Sequence, residues 1–539
     1  MKIACCQINP VIGDLSYNSE LIYNKLIENR EYDLVLFPEL ALTGYSPRDL
    51  LLKNEFIIEI NKTIKKLCAV SLSENLPPFL LGTITGKDSE NIFNSVILIE
   101  NGKISYEQHK KLLPDYDVHD ESRYYHREKN NRLLEFKAKK IGILICEDAW
   151  FDTVNKYVKN PVDYFVENKP DLIINMAASP YYYGKPVLRK KVFGEIVSKV
   201  KSPFLYLNMT GGNDDIIFDG GSFVLDNTGE IVIKADSFKE YTMIYDTEKK
   251  YFKVNFIEKK YETIFQGLCL GLSDYFKKCR LPQKAVIGIS GGIDSAVVAY
   301  LACKVFGKEN VLGVALPTQF SSQHSLEDAE KLCENLGMKL EIVDIRNIFE
   351  LYNKTLSPHF ESTKWDVTEQ NIQARIRGNI LMSFSNKFGY QLLTTGNKSE
   401  IAVGYCTLYG DMCGAINPIG DLYKTEIYEF ANYINSKEEI IPENIIKKAP
   451  SAELAPNQKD QDSLPPYDIL DGILYSFIEE NLDIKEIIKK GYDEQTVNWT
   501  VNTLLKTEYK RKQAAIILKV SKRAFGQGWR MPVAKKYII

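Results

Sequence analysis

Over roughly the first 250 residues, apolar positions come in short bouts separated by polar turns, the layout of a layered α/β or α+β domain. Residues 2–8 read as a strand, and stretches 33–37, 79–85, 94–100, 141–146, 172–175 and 204–207 continue as brief strand-like runs. Helical spacing is confined to 18–29, 54–73 and 187–200. From residue 285 the rhythm changes. Strands at 285–289, 311–316, 339–343 and 390–394 alternate with helices beginning at 296 and spanning 326–336 and 370–387. That alternation predicts a doubly wound parallel sheet with a nucleotide at the carboxyl ends of its strands. Between 246 and 260 the chain turns charged (TEKKYFKVNFIEKKYE), without a Pro/Gly/Ser linker, and a helix starts near Tyr261. The expected domains are 1–255 and 256–539.

Composition narrows the class. A chain of 539 residues exceeds one core, and 45% hydrophobic with 26% charged residues is ordinary for a soluble globular protein. A net charge of −3 gives no footprint for nucleic acid. The longest apolar runs are too short for a bilayer, and MKIACCQINP lacks the apolar core of a signal peptide. The ten cysteines form no CxxC pair and the five histidines show no ligand spacing, which argues against zinc. Many unpaired thiols in a large chain point to a cytoplasmic location.

Two stretches carry chemistry. In KAVIGISGGIDS (284–295), an apolar strand runs into a glycine turn and a helix amino terminus, a geometry that collects phosphate on free backbone N–H groups. The loop has no Walker lysine, so a different use of ATP is implied. In the first half, Glu39 ends DLVLFPEL, Lys110 lies in EQHKKLLPDYDVHDE and Cys146 ends KKIGILICEDAW. Taken singly they read as a loop carboxylate, half of a solvated lysine pair and a buried apolar filler. Taken together they form an acid-base group, a cationic stabiliser and a nucleophile.

SGGxDS resembles the PP-loop of ATP pyrophosphatases, which adenylate a substrate and release pyrophosphate. The resemblance implies ATP contacts along Gly288, Ile289, Ser290, Gly291, Gly292, Ile293, Asp294 and Ser295, with Asp294 carrying Mg2+. The first half, from CQINPVIGDLSYN through FPELALTGY and LLPDYDVHDESRYY to ICEDAW and MAASPYYYGK, resembles the nitrilase superfamily. That family has an α-β-β-α sandwich and a Glu-Lys-Cys triad, which falls here on Glu39, Lys110 and Cys146. Lys110 is preferred to Lys111 for its spacing from Pro114. Glu121 becomes a candidate second carboxylate, and Tyr116, Ser179 and Lys185 candidate glutamine contacts.

In the second half, NIQARIRG, TTGNKSE, YGDMCGAINPIGDLYKTE, KAPSAEL and EYKRKQ are similar, in that order, to motifs of the NAD synthetases. This likeness implies ATP contacts at Thr395, Lys424 and Ser451, and Glu400 joining Asp294 around magnesium. It also implies contacts to deamido-NAD from Asn371, Arg375, Glu400 and Lys510. Tyr509 departs from the His-Lys of the short ammonia-using synthetases. End to end, the chain resembles the glutamine-dependent NAD synthetases. The expectation is a homo-oligomeric (dimeric or octameric) ligase for small-molecule substrates. An amidotransferase for another carboxylate and a glutamine-sensing binding protein are the alternatives, separable by incubation with candidate acids and by an ammonia assay. An ammonia passage is expected, and sequence does not show it.

Overall fold

The pleat of strand Lys2–Gln7 sends Ile3 and Cys5 to one side of a sheet and Ala4 and Cys6 to the other. Both sides are buried, as expected for an inner strand covered on both faces. Neighbouring strands repeat this sorting. In the computed structural model, which describes residues 1–128, 130–154, 156–456 and 458–536, the first compact unit is Met1–Thr263. It holds two six-stranded sheets. One runs Tyr241–Asp246, Lys2–Gln7, Leu34–Leu36, Phe79–Gly86, Ile92–Glu100, Lys103–His109. The other runs Ile231–Lys234, Phe223–Leu225, Phe204–Asn208, Leu172–Ala177, Lys139–Ile145, Leu134–Phe136.

Ile3, Leu34, Leu36 and Leu80 of the first sheet meet Ile143, Ile145, Ile174 and Leu205 of the second in one core layer. Each fully buried side chain of this kind contributes on the order of 1.5–3 kcal/mol. Helices Leu15–Glu28 and Asn54–Ser73 cover the outer face of the first sheet through Ile22, Leu26, Ile57 and Ile60. Helix Lys185–Val200 covers the second through Val192, Phe193, Ile196 and Val197. The result is the expected α-β-β-α sandwich.

The second unit, from Ile264 onward, contains one all-parallel six-stranded sheet. Its order is Lys339–Ile342, Val311–Ala315, Ala285–Gly288, Gln391–Leu393, Ile416–Asn417, Ile516–Ile517. The order reverses direction beside the first strand, the crevice where open α/β sheets take ligands. Val286, Val314 and Leu392 pack with Phe349, Ile372 and Ile376 of helices Arg346–Leu356 and Val367–Phe388. Helix Ile293–Phe306 packs on strands Ala285–Gly288 and Val311–Ala315. The doubly wound expectation holds.

Differences from the sequence reading have physical causes. Helices start earlier than their apolar spacing does: Asp14, Ser322 and Asp366 cap helices at Leu15, Gln323 and Val367 through a side-chain oxygen. A polar first turn carries no apolar signal but is where caps belong. The strand read as 141–146 ends at Ile145, because Cys146 has φ +46° and opens a short 3₁₀ turn, Cys146–Ala149. A left-handed residue cannot continue a pleated strand. The edge strand Lys103–His109 was unread because KISYEQH is mostly polar. No helix among the described residues is long and apolar enough to cross a membrane, and the ten cysteines are free.

Candidate active sites

Three strand ends in the first unit deliver one cluster. The turn after Leu34–Leu36 carries Glu39, and Gly82 on Phe79–Gly86 backs it so closely that a Cβ would lie 2.1 Å from Pro38 O. Lys110 follows Lys103–His109, its amide held by Asn94 O at 2.8 Å. Its Nζ donates to Glu39 Oε1 at 2.7 Å and to Glu121 Oε1 at 2.8 Å, and all three side chains are at most 3% exposed. Asn94 Nδ2 also donates to Glu39 Oε1, and the Ala178 amide to Oε2, each at 2.7 Å. Burial would lower the Lys110 ammonium, but Glu121 and Glu39 outweigh it and hold the charge. Burial, opposed by Lys110, pushes Glu121 up to about 7.

Cys146 is buried, and desolvation followed by the Glu39 charge pushes its thiol well above the ordinary range. The resting sulfur therefore keeps its proton, and a base must take it as attack begins. Asp148, two residues on, accepts the amides of Lys111 (2.9 Å), Leu112 (2.8 Å) and Ile145 (3.2 Å). Those bonds lock the lysine segment to the cysteine turn. Glu147 is buried and receives both the Tyr116 and the Tyr157 hydroxyls at 2.9 Å. Lys185 lies 3.7 Å from the Trp150 ring centre, and its ammonium is lowered to about 8 by burial and by Arg189. Ser179 spends its amide on Asn208 (2.8 Å) and its carbonyl and hydroxyl on Arg189 (2.8 and 3.2 Å).

In the second unit the loop after Ala285–Gly288 opens a cavity of about 300 Å³ at the carboxyl ends of the parallel strands. Gly288–Ile289–Ser290 and Gly292–Ser295 line it. Gly291 does not; its φ of +73° and the 2.2 Å a Cβ would leave to Ser325 O make it the backbone hinge of the turn. Ser295 Oγ donates to Gly292 O at 2.9 Å, holding the loop against helix Ile293–Phe306. Thr395, Glu400, Lys424 and Ser451 line the same cavity.

Lys424 Nζ donates to Asp294 Oδ2 at 2.5 Å and to Glu400 Oε1 at 3.3 Å. Burial, ahead of the Lys424 attraction, pushes Glu400 up to about 8. Asn397 serves both carboxylates. Its Nδ2 donates to Asp294 Oδ1 and its Oδ1 accepts the Glu400 amide, each at 3.0 Å. Among the described residues no three Cys, His, Asp or Glu side chains could hold a metal by themselves. Two carboxylates beside a glycine loop at a helix amino terminus would suit magnesium, which takes the rest of its shell from phosphates and water.

Residues 2–252 match the carbon-nitrogen hydrolase family model and residues 264–514 the NAD synthase model. The glutamine-dependent NAD(+) synthetase of Synechocystis is 42% identical, over 99% of this chain and 99% of its own. That of Thermotoga maritima is 40% identical, over 100% and 99%. A solved structure of the glutamine-dependent NAD+ synthetase from Acinetobacter baumannii, in complex with ADP, superposes with a TM-score of 0.78 at 36% identity, covering 99% of this chain and 98% of that one. The chain belongs to the glutamine-dependent NAD(+) synthetases.

For a member of this family, the three remaining dinucleotide candidates sit outside the cavity wall. Thr407 Oγ1 donates to Asn371 Oδ1 at 2.7 Å, Arg375 Nε to Leu408 O at 3.2 Å, and Lys510 Nζ to Gly404 O and Cys406 O at 2.8 and 2.7 Å. All three grip the single segment 404–408. Sequence reading passed over Asn94, Glu147 and Asn397. Glu147 and Asn397 adjoin or lie within quoted motifs, so adjacency to Cys146 and Glu400 was the available signal. Asn94 had none, since its role depends on a strand pairing.

Proposed function

We propose that this chain converts nicotinic acid adenine dinucleotide to NAD, splitting ATP to AMP and pyrophosphate and taking ammonia from glutamine. The observation that carries this reading is the presence, on one chain, of the Glu39–Lys110–Glu121 cluster beside Cys146 and of a lysine-free glycine loop on a nucleotide-sized cavity. Residues 1–255 would act as the glutaminase and 256–539 as the synthetase.

In the first site, Cys146 Sγ attacks the carboxamide carbon of glutamine while Glu39 takes the thiol proton. Lys110 stabilises the oxyanion, and Glu39 returns the proton to the departing ammonia. Water, deprotonated by Glu39, then cleaves the thioester to glutamate. Glu147 suits the substrate's ammonium and Lys185 its carboxylate, which together would select a free amino acid.

In the second site, the nicotinate carboxylate oxygen attacks the α-phosphorus of ATP, and pyrophosphate leaves into the glycine loop and the free amides of helix Ile293–Phe306. Asp294 and Glu400 would hold magnesium, which when bound offsets the charge of the leaving pyrophosphate. Lys424 can pass from its carboxylates to a phosphate oxygen. Ammonia attacks the acyl-adenylate carbon, a proton is lost, and AMP departs with its oxygen.

Mass spectrometry of a reaction containing the acid dinucleotide, ATP, magnesium and amide-¹⁵N glutamine tests the whole scheme. It should show ¹⁵N in the nicotinamide group together with AMP. Formation of ADP and phosphate, or unlabelled product, would overturn it.

A further inference from the structure

The Glu39–Lys110–Glu121 cluster continues through a tyrosine to a histidine. The Tyr45 hydroxyl lies 2.9 Å from Glu121 Oε1 and 2.6 Å from His119 Nδ1. Tyr45 and Glu121 are at most 3% exposed, whereas His119 is half-buried. The tyrosine is held in place: its ring meets Phe218 edge-on at 5.9 Å, and its carbonyl accepts Asn213 Nδ2 at 2.8 Å. His119 packs edge-on against the Tyr45 and Tyr116 rings, with centres 6.0 and 5.8 Å away. Its amide donates to Tyr116 O at 3.0 Å.

A phenol has one hydrogen, and here two groups stand ready for it. When Tyr45 donates to the Glu121 carboxylate, its oxygen accepts a proton carried on His119 Nδ1. When Tyr45 donates to a bare Nδ1, Glu121 has to carry the proton instead. A bare Nδ1 and a bare carboxylate cannot both be served, so His119 and Glu121 hold at least one proton between them. Burial, then the Glu121 and Glu39 charges, keep the Tyr45 hydroxyl well above its ordinary range. The phenol therefore releases one proton only as it receives another. Glu121 is pushed up to about 7 by burial, with Lys110 and the Tyr45 bond pulling the other way and Glu39 adding to the rise. Tyr125, Cys146 and Tyr157 also share its field. Asp117 and Asp120 flank His119 in the chain.

We infer that Tyr45 and His119 form a proton relay that keeps Glu121 ionised during glutamine hydrolysis; this rests on the glutaminase reading proposed above. The Glu121 proton passes to the Tyr45 oxygen as the Tyr45 hydrogen passes to His119 Nδ1, so no charge is left on the phenol. An ionised Glu121 shares the Lys110 charge with Glu39. Glu39 then keeps the basicity needed to take the Cys146 proton. A protonated Glu121 would leave Lys110 to Glu39 alone and weaken that base. Tyr45 and His119 are positioning residues, acting through the proton of Glu121.

The test is the pH dependence of kcat/KM for glutamine, measured as glutamate released by the full chain with ATP, magnesium and the acid dinucleotide present. Tyr45→Phe should move the acid limb of the profile alkaline by about one pH unit, since a hydrogen bond to the ionised carboxylate is lost. Above that limb the rate should return close to the parent value. His119→Phe should move the limb the same way by about half as much, because the phenol is no longer polarised. It carries the test should Tyr45→Phe fail to fold. The double variant should match Tyr45→Phe, because His119 acts through the phenol. A loss uniform across pH, an unmoved limb, or a double variant shifted by the sum of the single shifts would overturn the inference. Cys146→Ala separates the two layers of argument. If it still releases glutamate, the glutaminase reading and the inference fall together. If it is inactive while the limb stays put in Tyr45→Phe, the inference alone falls.

Discussion

Lys110 and Lys424 are both buried, and each bridges two carboxylates: Glu39 and Glu121 at 2.7 and 2.8 Å, Asp294 and Glu400 at 2.5 and 3.3 Å. The first clamp is even and is further fastened by Asn94 and Ala178. The second is uneven and faces an open cavity. Desolvating two charges is repaid only when geometry and extra hydrogen bonds are good. The first unit meets that condition alone, which suits the proposed substrate, since glutamine's carboxamide is neutral and would bring no charge to the clamp. The second meets it loosely, which suits the proposed scheme, in which phosphates and a cation arrive with the substrate and take over the pairing. On the proposed function, the same three-group device would serve as a fixed catalytic frame in one place and as an exchangeable counter-charge in the other.

The comparison is broken most severely at the nucleophile. Cys146→Ala should lower glutamine-driven synthesis by about 10⁴-fold or more, since no neighbouring group replaces the sulfur. Ammonia-driven synthesis at mildly alkaline pH should survive, measured as NAD formed from ammonium chloride. Retained glutamine activity would place the nucleophile elsewhere.

Lys424→Met should reduce synthesis by about 10³-fold with either nitrogen source, because a cation facing the phosphates is lost. Lys110→Met should silence glutamine alone. Side-by-side rates with glutamine and ammonium salt distinguish the two, and identical profiles would dissolve the contrast between fixed and exchangeable clamps.

A smaller effect is expected at Lys510, whose ammonium holds two carbonyls of segment 404–408. Lys510→Ala should raise the KM for the acid dinucleotide by about tenfold and that for ATP much less. A larger rise for ATP would detach the residue from the dinucleotide.

The smallest effect is a pH dependence at Lys185, lowered to about 8 by burial. A depressed lysine is charged below its pKa and neutral above it. Its hold on a substrate carboxylate is therefore complete at pH 7 and lost as pH rises through 8. The KM for glutamine should rise about fourfold between pH 7 and 8.5 in excess of the parent trend seen in Lys185→Arg. A flat profile would remove Lys185 from glutamine recognition.

Local rules made much of the architecture readable. The short apolar runs in Lys2–Gln7 and Leu172–Ala177, and the strand–glycine–helix passage at 284–295, are set by residues close together in the chain. The polar strand Lys103–His109 escaped because its burial is one-sided and sparse. The cap-led starts at Leu15 and Val367 escaped because hydrogen bonds leave no hydrophobic trace.

By itself the sequence determined the two fold classes and the places where reactive groups leave strand ends. Backbone sterics and apolar burial act over short spans, and the chain records them in order. Only the tertiary structure decided which charges meet. Lys110 reaches Glu39 across 71 positions and Lys424 reaches Asp294 across 130. It likewise decided that Cys146 turns out of its strand and that Asp148 ties it to the lysine segment. Such pairings depend on how distant strands are brought together and on the local dielectric they create. Neither quantity is a property of any stretch of sequence taken alone.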